Sequence, residues 1–194
     1  MKKIALLGFL SVILVACEPR TPPSEPPKLS QAPEVATDGF LVADAEEIIP
    51  LNLDELNRFR VQRPLTEFLK PTENISNPVE QKVIEGNWPE VGAVRWVRLA
   101  DGHYIIERIL ENEPQFFKYQ IFVFTNDAGR GVEQIVGEQR FTPVEGGTKF
   151  EWDYKIKPKR GSITRKVIKG RLEEIDKYIS DGLRDFATAA GEAQ

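Results

Sequence analysis

The segment of residues 162–190 constrains the fold most, because its apolar residues repeat at helical spacing. Side chains three and four positions apart share one face of an α-helix. The residues that recur at this spacing are Ile168, Leu172, Ile175, Ile179, Leu183 and Phe186. Burying six such side chains contributes on the order of 10 kcal/mol gross. The segment therefore predicts one long amphipathic helix, continuous through Gly170 and Gly182, whose apolar stripe is docked on a partner surface.

Alternating residues earlier in the chain predict that partner surface. In the segment 149–157 one face of a strand is apolar and the other is charged, and the apolar face comprises Phe150, Trp152, Tyr154 and Ile156. The dipeptide Asp101-Gly102 predicts a hairpin turn. Strands are predicted at 46–51, 79–85, 93–100, 103–110, 116–125, 132–143 and 149–157, with short helices at 52–59 and 65–69. Strands followed by a long helix predict an α+β fold, in which the helix lies across one face of a bent antiparallel sheet.

The N-terminus has the pattern of a signal segment. Two lysines precede an apolar run of residues 4–16, which is shorter than the roughly 20 residues that a helix needs to span a bilayer. The run ends in Leu14-Val15-Ala16-Cys17, and Cys17 is the only cysteine of the chain. This ending resembles the lipobox of bacterial lipoproteins, which implies cleavage after residue 16 and lipidation of Cys17. The alternative is an ordinary secretory peptide in which Cys17 is incidental.

A lipobox places the protein in the cell envelope, attached to a membrane through its lipid anchor. Glu18, and not an aspartate, follows the lipidated position, which favours the outer membrane with the domain facing the periplasm. Residues 17–37 contain six prolines and few apolar side chains, so they are predicted to be a linker. Chain of this composition extends by about 3.1 Å per residue, which gives a reach of about 60 Å. The folded domain is predicted at residues 38–194.

The formal net charge of −4 argues against nucleic acid as a partner, because non-specific binding requires clustered Lys and Arg. A local basic strip nevertheless occurs near the predicted helix, and it comprises Lys155, Lys157, Lys159, Arg160, Arg165, Lys166 and Lys169. This strip is either the solvated side of a hairpin and helix start or a contact for anionic lipid head groups.

The sequence contains no catalytic or cofactor motif, so we predict no cofactor and no metal site. His103 is the only histidine, and no organised set of carboxylates or cysteines accompanies it. Because His103 follows a turn, we expect it to be exposed. The glycine-rich stretches at 129–131 and 146–147 lack the lysine and the strand-to-helix context of a phosphate loop, and no Gly-x-Ser-x-Gly nucleophile motif occurs.

Five short motifs carry a family resemblance, and they lie at 88–95, 98–102, 107–110, 117–121 and 147–152. In order and spacing they resemble the polyketide cyclase/dehydrase-type members of the START and birch-pollen-allergen superfamily (SRPBCC), over about residues 46–186. The resemblance implies the helix-grip fold, in which a seven-stranded antiparallel sheet wraps around a long C-terminal helix and leaves an apolar cavity. Members bind lipids, sterols, plant hormones or polyketides there, and a minority catalyse cyclisation or dehydration.

Strand parity then selects the residues that face this cavity. Tyr and Trp suit such a wall, because each presents an apolar body with one polar tip. Phe117 shares the inward parity of its strand, although packing on the terminal helix is the alternative role for all these aromatics. The candidate ligand-binding residues are Arg95, Val97, Leu99, Glu107, Tyr119, Ile121, Phe150, Trp152, Tyr154, Ile175 and Ile179.

The orientation of Glu107 depends on the register of the predicted hairpin. A three-residue loop at 101–103 places Glu107 and Arg95 inside on one face, whereas a two-residue turn places Glu107 outside with Trp96 and Arg98. The family resemblance places this glutamate toward the cavity. An inward carboxylate has to be paired or have a raised pKa, so Glu107 would either form a salt bridge with Arg95 or bind a polar group of a ligand.

Three functions are compatible with this sequence. The first is a lipid-anchored protein of the cell envelope that binds a hydrophobic small molecule, either a lipid or an aromatic metabolite, without catalysing a reaction. The second is an enzyme of the cyclase or dehydratase type, in which Glu107 acts as acid or base with Arg95 or a tyrosine. The third is an interaction module of the envelope with a filled core. The volume beneath the terminal helix distinguishes the first two from the third.

Overall fold

The computed structural model describes residues 19–29 and 31–193. The predicted signal segment and the predicted lipidation site Cys17 lie outside this range. The described residues form seven strands, three α-helices and one 3₁₀ turn at Leu65–Glu67. The strands are β1 (Leu41–Ile49), β2 (Pro78–Glu85), β3 (Val94–Leu99), β4 (Tyr104–Glu113), β5 (Phe116–Phe124), β6 (Val132–Val144) and β7 (Gly147–Pro158), and the helices are α1 (Leu53–Gln62), α2 (Ser162–Lys169) and α3 (Leu172–Glu192).

All seven strands form one antiparallel sheet in the order β1-β7-β6-β5-β4-β3-β2. Strands β1 and β2 are the two edges, and α1 with the 3₁₀ turn connects them. Register shifts interrupt the β2–β3, β4–β5 and β6–β7 ladders, and such irregularities bend a sheet. The long helix α3 lies against β1 and the 3₁₀ turn. This architecture confirms the predicted α+β helix-grip fold.

Strand β1 begins at Leu41, five residues before its predicted start. Its side chains alternate between buried and exposed, and the buried positions at its start are Leu41, Ala43 and Ala45. Two of these three residues are alanines, which are depleted in strands and give only a weak period-two signal. The pattern of large apolar residues therefore does not predict the first five residues of the strand.

The terminal helical segment is broken, so our prediction of one continuous helix was wrong. Helix α2 ends at Lys169 and α3 begins at Leu172. At the break, Gly170 N–H donates to the Lys166 carbonyl over 3.0 Å, and Arg171 N–H donates to the Ile168 carbonyl over 3.0 Å. The second of these bonds spans only three residues, which tightens the turn and redirects the axis. We expected Gly170 to be tolerated inside one helix, but it lies between two helices.

Helix α3 is fixed to the sheet by its apolar stripe, in which Ile179, Leu183 and Phe186 are fully buried. The Phe186 ring packs edge-on against the rings of Phe59 in α1 and Phe150 in β7, with centroids 5.1 and 6.1 Å apart. Edge-to-face pairs of this kind add to the stabilisation that burial alone provides. The stripe therefore joins α3 to both α1 and the sheet, as its spacing predicted.

The proline-rich segment before β1 lies on the outer face of the sheet. Arg108 Nη2 and Gln120 Nε2 donate to the Pro33 carbonyl over 3.0 and 3.3 Å. Gln134 Nε2 donates to the Glu34 carbonyl over 3.0 Å, and Ala36 N–H donates to Gln134 Oε1 over 3.2 Å. The composition predicts a free spacer, whereas these bonds hold part of the segment against the domain. The docked residues therefore do not add to the distance that the linker can span. The domain boundary at residue 38 stays a prediction.

Across residues 19–29 and 31–193, no helix combines the length and the apolar character that crossing a membrane requires.

Candidate functional site

A cavity of about 490 Å³ lies between the inner face of the sheet and helix α3. Volumes of roughly 300–1,000 Å³ are typical of sites that hold small molecules. Most of the wall is apolar, and its residues come from α1, the 3₁₀ turn, strands β2 to β7, α2, α3 and the loops between them. Four of the lining residues, Val61, Asn74, Gln81 and Pro89, are exposed on the protein surface, so the cavity opens to solvent.

The structure places ten of the eleven candidate residues on the cavity wall. They are Arg95, Val97, Leu99, Glu107, Tyr119, Ile121, Phe150, Trp152, Tyr154 and Ile175. Ile179 does not line the cavity, and our expectation that it would was wrong. It is fully buried in the core, one turn along α3 from Ile175, where the helix packs flush against its neighbours. The helical spacing of the apolar residues correctly predicted the buried face of α3. It did not predict which residues of that face line the cavity.

Arg95 and Glu107 stand directly opposite each other on β3 and β4 and form a buried salt bridge. Leu99 N–H donates to the His103 carbonyl over 2.8 Å, so the connecting loop comprises residues 100–102. Neither of the two registers that we considered is the observed one. The observed register shifts the pairing by two residues from the first, which preserves side-chain parity, and both charged groups therefore face inward. Only 8% of Arg95 and 5% of Glu107 is exposed.

The salt bridge leaves the cavity wall nearly neutral at this point. The guanidinium carbon of Arg95 also lies 3.7 Å from the centroid of the Trp88 ring, so the indole covers the cation. A buried charge is costly unless it is paired and hydrogen-bonded, and Glu107 and Trp88 together meet that requirement for Arg95. Trp88 lies between the predicted strands at 79–85 and 93–100, where no periodic pattern indicates that its ring turns back over β3.

Three tyrosines place hydroxyl groups at the cavity. Burial raises the pKa of Tyr119 well above its usual value of 10.0, and Tyr154 and Glu107 nearby add to the rise. Burial likewise raises the pKa of Tyr154 and of Tyr178. These hydroxyls therefore stay neutral at physiological pH, and each can donate and accept a hydrogen bond.

The indole N–H of Trp152 is the one buried donor on this wall for which the described part of the chain supplies no acceptor. Its side chain is 3% exposed and lines the cavity. The N–H lies close enough to the Tyr119 hydroxyl to oppose part of the rise in that pKa, but the two groups do not reach hydrogen-bond geometry. A buried donor without an acceptor is rare in folded proteins. Because the nitrogen itself is buried, a guest could pair with it only after a neighbouring side chain moves aside.

Arg60 of α1 is a lining residue that the sequence did not reveal. Its Nε donates to Asn57 Oδ1 over 2.9 Å, and its guanidinium carbon lies 4.7 Å from the centroid of the Phe141 ring. Burial lowers the pKa of Arg60, although an arginine remains protonated in proteins. A charged residue near the end of a short helix is usually solvated, and only the tertiary structure turns this one inward.

His103 is buried, which contradicts our expectation of an exposed side chain. Its Nδ1 lies 3.0 Å from Thr125 Oγ1, and its backbone N–H donates to Asp101 Oδ1 over 3.0 Å. The loop folds against the end of β5, so a position beside a turn does not imply exposure here. Among the described residues, no group of three potential ligands is arranged to hold a metal ion.

The arrangement suits an apolar guest with one polar group. The wall offers a large apolar surface, one free N–H donor and neutral hydroxyls, and its buried charges cancel in the pair of Arg95 and Glu107. A hydrogen-bonding group on the guest can pair with the tyrosine hydroxyls, or with the Trp152 N–H once a neighbouring side chain moves aside, while the rest of the guest is excluded from water.

Comparisons with known proteins agree with this fold. The solved structure of Ara h 8.0201 is similar to this chain with a TM-score of 0.51 at 20% identity, and the match covers 75% of this chain and 97% of that protein. TTHA0849 from Thermus thermophilus is similar with a TM-score of 0.58 at 13% identity, over 79% of this chain and 99% of that protein. No curated protein sequence matches this chain.

A family model settles the classification that the motifs indicated. The model described as polyketide cyclase / dehydrase and lipid transport matches residues 61–191, which include the strands β2 to β7 and nearly all of α3. The match thus extends across most of the cavity wall. This chain belongs to the polyketide cyclase / dehydrase and lipid transport family.

Proposed function

We propose that this protein binds a hydrophobic small molecule, either a lipid or an aromatic metabolite, in the cavity beneath α3, and that it does so at the cell envelope while anchored through lipid on Cys17. The cavity of about 490 Å³ is the observation that carries the proposal. A core filled by side chains would have left only surface roles, whereas this volume is ample for a drug-sized guest. Membership of a family that includes lipid transport supports the same conclusion.

Recognition of the ligand centres on the Trp152 N–H. Leaving a buried donor unpaired costs about 1–3 kcal/mol, and a carbonyl, ether or hydroxyl oxygen on the guest would remove that cost when the side chains around Trp152 shift to admit it. The Tyr119 and Tyr154 hydroxyls adjoin the same part of the wall and can complete the contact. The preferred ligand is accordingly an apolar molecule that carries an oxygen acceptor, and not a pure hydrocarbon.

Native mass spectrometry of the full chain after mild extraction tests this proposal. We expect a co-purifying apolar molecule, and we expect the free protein to bind a fluorescent fatty-acid probe that this molecule displaces. Trp152→Phe keeps an aromatic ring but removes the N–H, so it should weaken probe binding by about tenfold, since about 1.4 kcal/mol corresponds to a factor of ten. A protein that is empty on extraction and binds no apolar probe would contradict the proposal.

Anchoring is tested separately from ligand binding. Growth with an alkyne-bearing fatty acid should label the wild-type protein and leave a Cys17→Ser variant unlabelled, because Cys17 is the only thiol of the chain. Fractionation of the membranes then tests the outer-membrane location. Equal labelling of both proteins would exclude Cys17 as the site of the lipid.

An enzyme of the cyclase or dehydratase type is the second candidate, and the inward position of Glu107 favours it. The carboxylate is buried at the cavity beside Arg95, and Tyr119 adjoins it. Glu107→Gln should then abolish turnover of a substrate while binding of the fluorescent probe survives. Turnover that is unchanged in this variant would remove Glu107 from any catalytic role.

A further inference from the structure

Helix α2 presents two large apolar side chains to solvent. Ile163 is 79% exposed and Val167 is 51% exposed. Residues four positions apart lie on the same face of a helix, so the two form one exposed apolar pair. The neighbouring face of α2, about 100° around the helix, is held by the protein, where Ile168 is buried and Thr164 lies against Gly131. Amphipathic helices with an unpartnered apolar face are typical of segments that lie in a membrane interface.

Cations surround this apolar pair. Residues 159–171 contain six lysines and arginines and no aspartate or glutamate, although the whole chain has a net charge of −4. Four of them make no ion pair and no side-chain hydrogen bond with any residue that the structure describes, and all four are exposed: Lys159, Arg160, Lys166 and Lys169. We call residues 159–171, which include all of α2, the basic end. Its charge is therefore available to a negatively charged partner.

The N-terminal segment is attached to the domain at the same end. Arg20 Nη1 donates to the carbonyls of Phe124 and Asn126 over 3.1 and 3.2 Å. These carbonyls lie where β5 runs into the loop at 125–131, and that loop contacts α2 where Gly131 meets Thr164. Residues 17–20 span at most about 11 Å. A lipid on Cys17 would consequently hold the basic end close to the bilayer.

We propose that the basic end docks on the surface of an anionic lipid bilayer. The exposed lysines and arginines pair with the phosphates of the lipid head groups, while Ile163 and Val167 enter the boundary between head groups and acyl chains. Two observations favour a bilayer as the partner of this surface. The cations of the basic end complement anionic lipid phosphates, and the N-terminal segment is attached at the same end of the domain.

Docking would also orient the cavity. Ile168 and Arg171 of the helical break line the cavity, as do Ala128 and Gly129 of the adjacent loop. This end of the cavity would then face the membrane, so an apolar ligand could move between bilayer and cavity with little exposure to water. This last step rests on the proposed function, whereas the docking itself does not.

A fluorescent label on α2 tests docking in the absence of any ligand. The full chain carrying Cys17→Ser and Ile163→Cys has one thiol, which takes an environment-sensitive fluorophore. This variant lacks the proposed lipid anchor, so it is mixed with vesicles of phosphatidylcholine, with or without phosphatidylglycerol, and quenching by neutral acrylamide is measured. A matched control carries Ile48→Cys, because Ile48 is 55% exposed and lies on β1 opposite Lys149, toward the far end of the sheet.

We expect a blue shift and severalfold weaker quenching at position 163 in vesicles that contain phosphatidylglycerol, and no such change at position 48. Adding Lys166→Glu and Lys169→Glu, or raising the salt concentration, should reverse the effect. Quenching at 163 that is the same in both kinds of vesicle overturns the proposal: strong quenching in both means an undocked helix, and weak quenching in both means shielding that does not depend on anionic lipid. Failure of probe binding in the cavity would leave these results unchanged, so the two proposals fail separately.

Discussion

The ring of Tyr119 on β5 lies directly over the backbone of Gly137 on β6, in the space that a side chain at position 137 would occupy. Gly137 pairs with Tyr119 on one side and with Tyr154 on the other. A row of three residues across the sheet thus contains two tyrosines on either side of one glycine, and the Tyr119 ring occupies the space above that glycine. The missing Cβ sets how deeply the Tyr119 hydroxyl sits in the cavity wall.

Gly137→Ala should therefore displace Tyr119 into the cavity. The added methyl group would overlap the ring atoms, and overpacking of this kind costs about 1–3 kcal/mol of the free energy of unfolding. Urea denaturation measures that cost, and the fluorescent fatty-acid probe should bind more weakly because the ring fills part of the cavity. Gly170→Ala is the control: its φ is −68° and its nearest neighbour atom is 3.5 Å from the new Cβ, so it should be neutral or stabilising by about 0.4–1 kcal/mol. Equal effects of both substitutions would contradict this account.

The buried pair of Arg95 and Glu107 should behave as a unit. Glu107→Ala leaves an uncompensated charge inside the protein, which costs about 3–5 kcal/mol, whereas replacing both partners with Met and Leu should be close to neutral. The exposed pair of Arg98 and Glu80, 2.8 Å apart on the neighbouring edge, is the control, and Glu80→Ala should cost no more than about 1 kcal/mol. Urea denaturation of the single and double variants tests this, and a double variant as unstable as Glu107→Ala alone would show that the pair is not the cause.

The sequence predicted the strands and helices whose apolar residues repeat regularly. It did not predict the position of side chains that only a tertiary contact determines. The aromatic residues of β7 and the stripe of α3 carried enough period to place one wall of the cavity. Parity alone left the orientation of Glu107 open between two registers, and the family resemblance favoured the inward one. The observed register differs from that one by two residues, which leaves every side chain on the same face. Trp88 and Arg60 reach the cavity from a loop and from a helix end, where no periodic signal exists. Docking of the proline-rich segment likewise depends on glutamines and an arginine of the outer face, which no local pattern connects to residues 33–36.

Gln134 should control how firmly that segment is held. Its side chain is 1% exposed and bonds both the Glu34 carbonyl and the Ala36 N–H, so Gln134→Leu removes two attachments, each worth about 1 kcal/mol. Trypsin cleavage after Lys28 should become about tenfold faster or more, since the undocked segment is the form that is cut. Gln139→Leu is the matched control, because Gln139 lies on the same strand but faces the cavity. Equally fast cleavage in both variants would mean that general destabilisation, and not release of the segment, is responsible.

The buried tyrosines predict loss of stability at alkaline pH. The pKa values of Tyr119, Tyr154 and Tyr178 are raised above 10.0 in the folded protein, so the folded protein keeps protons that the unfolded chain releases near pH 10. Their contribution is complete below that pH, and stability should fall above it by up to about 1.4 kcal/mol per pH unit for each tyrosine. Urea midpoints measured from pH 8 to 11 test this, together with phenolate absorbance during unfolding. Tyr154→Phe should reduce the slope of the unfolding free energy against pH by the contribution of one tyrosine. This result separates the tyrosines from the lysines, which titrate in the same pH range. A midpoint that stays constant through pH 11, or a slope that Tyr154→Phe leaves intact, would show that these hydroxyls are accessible to water in the folded protein.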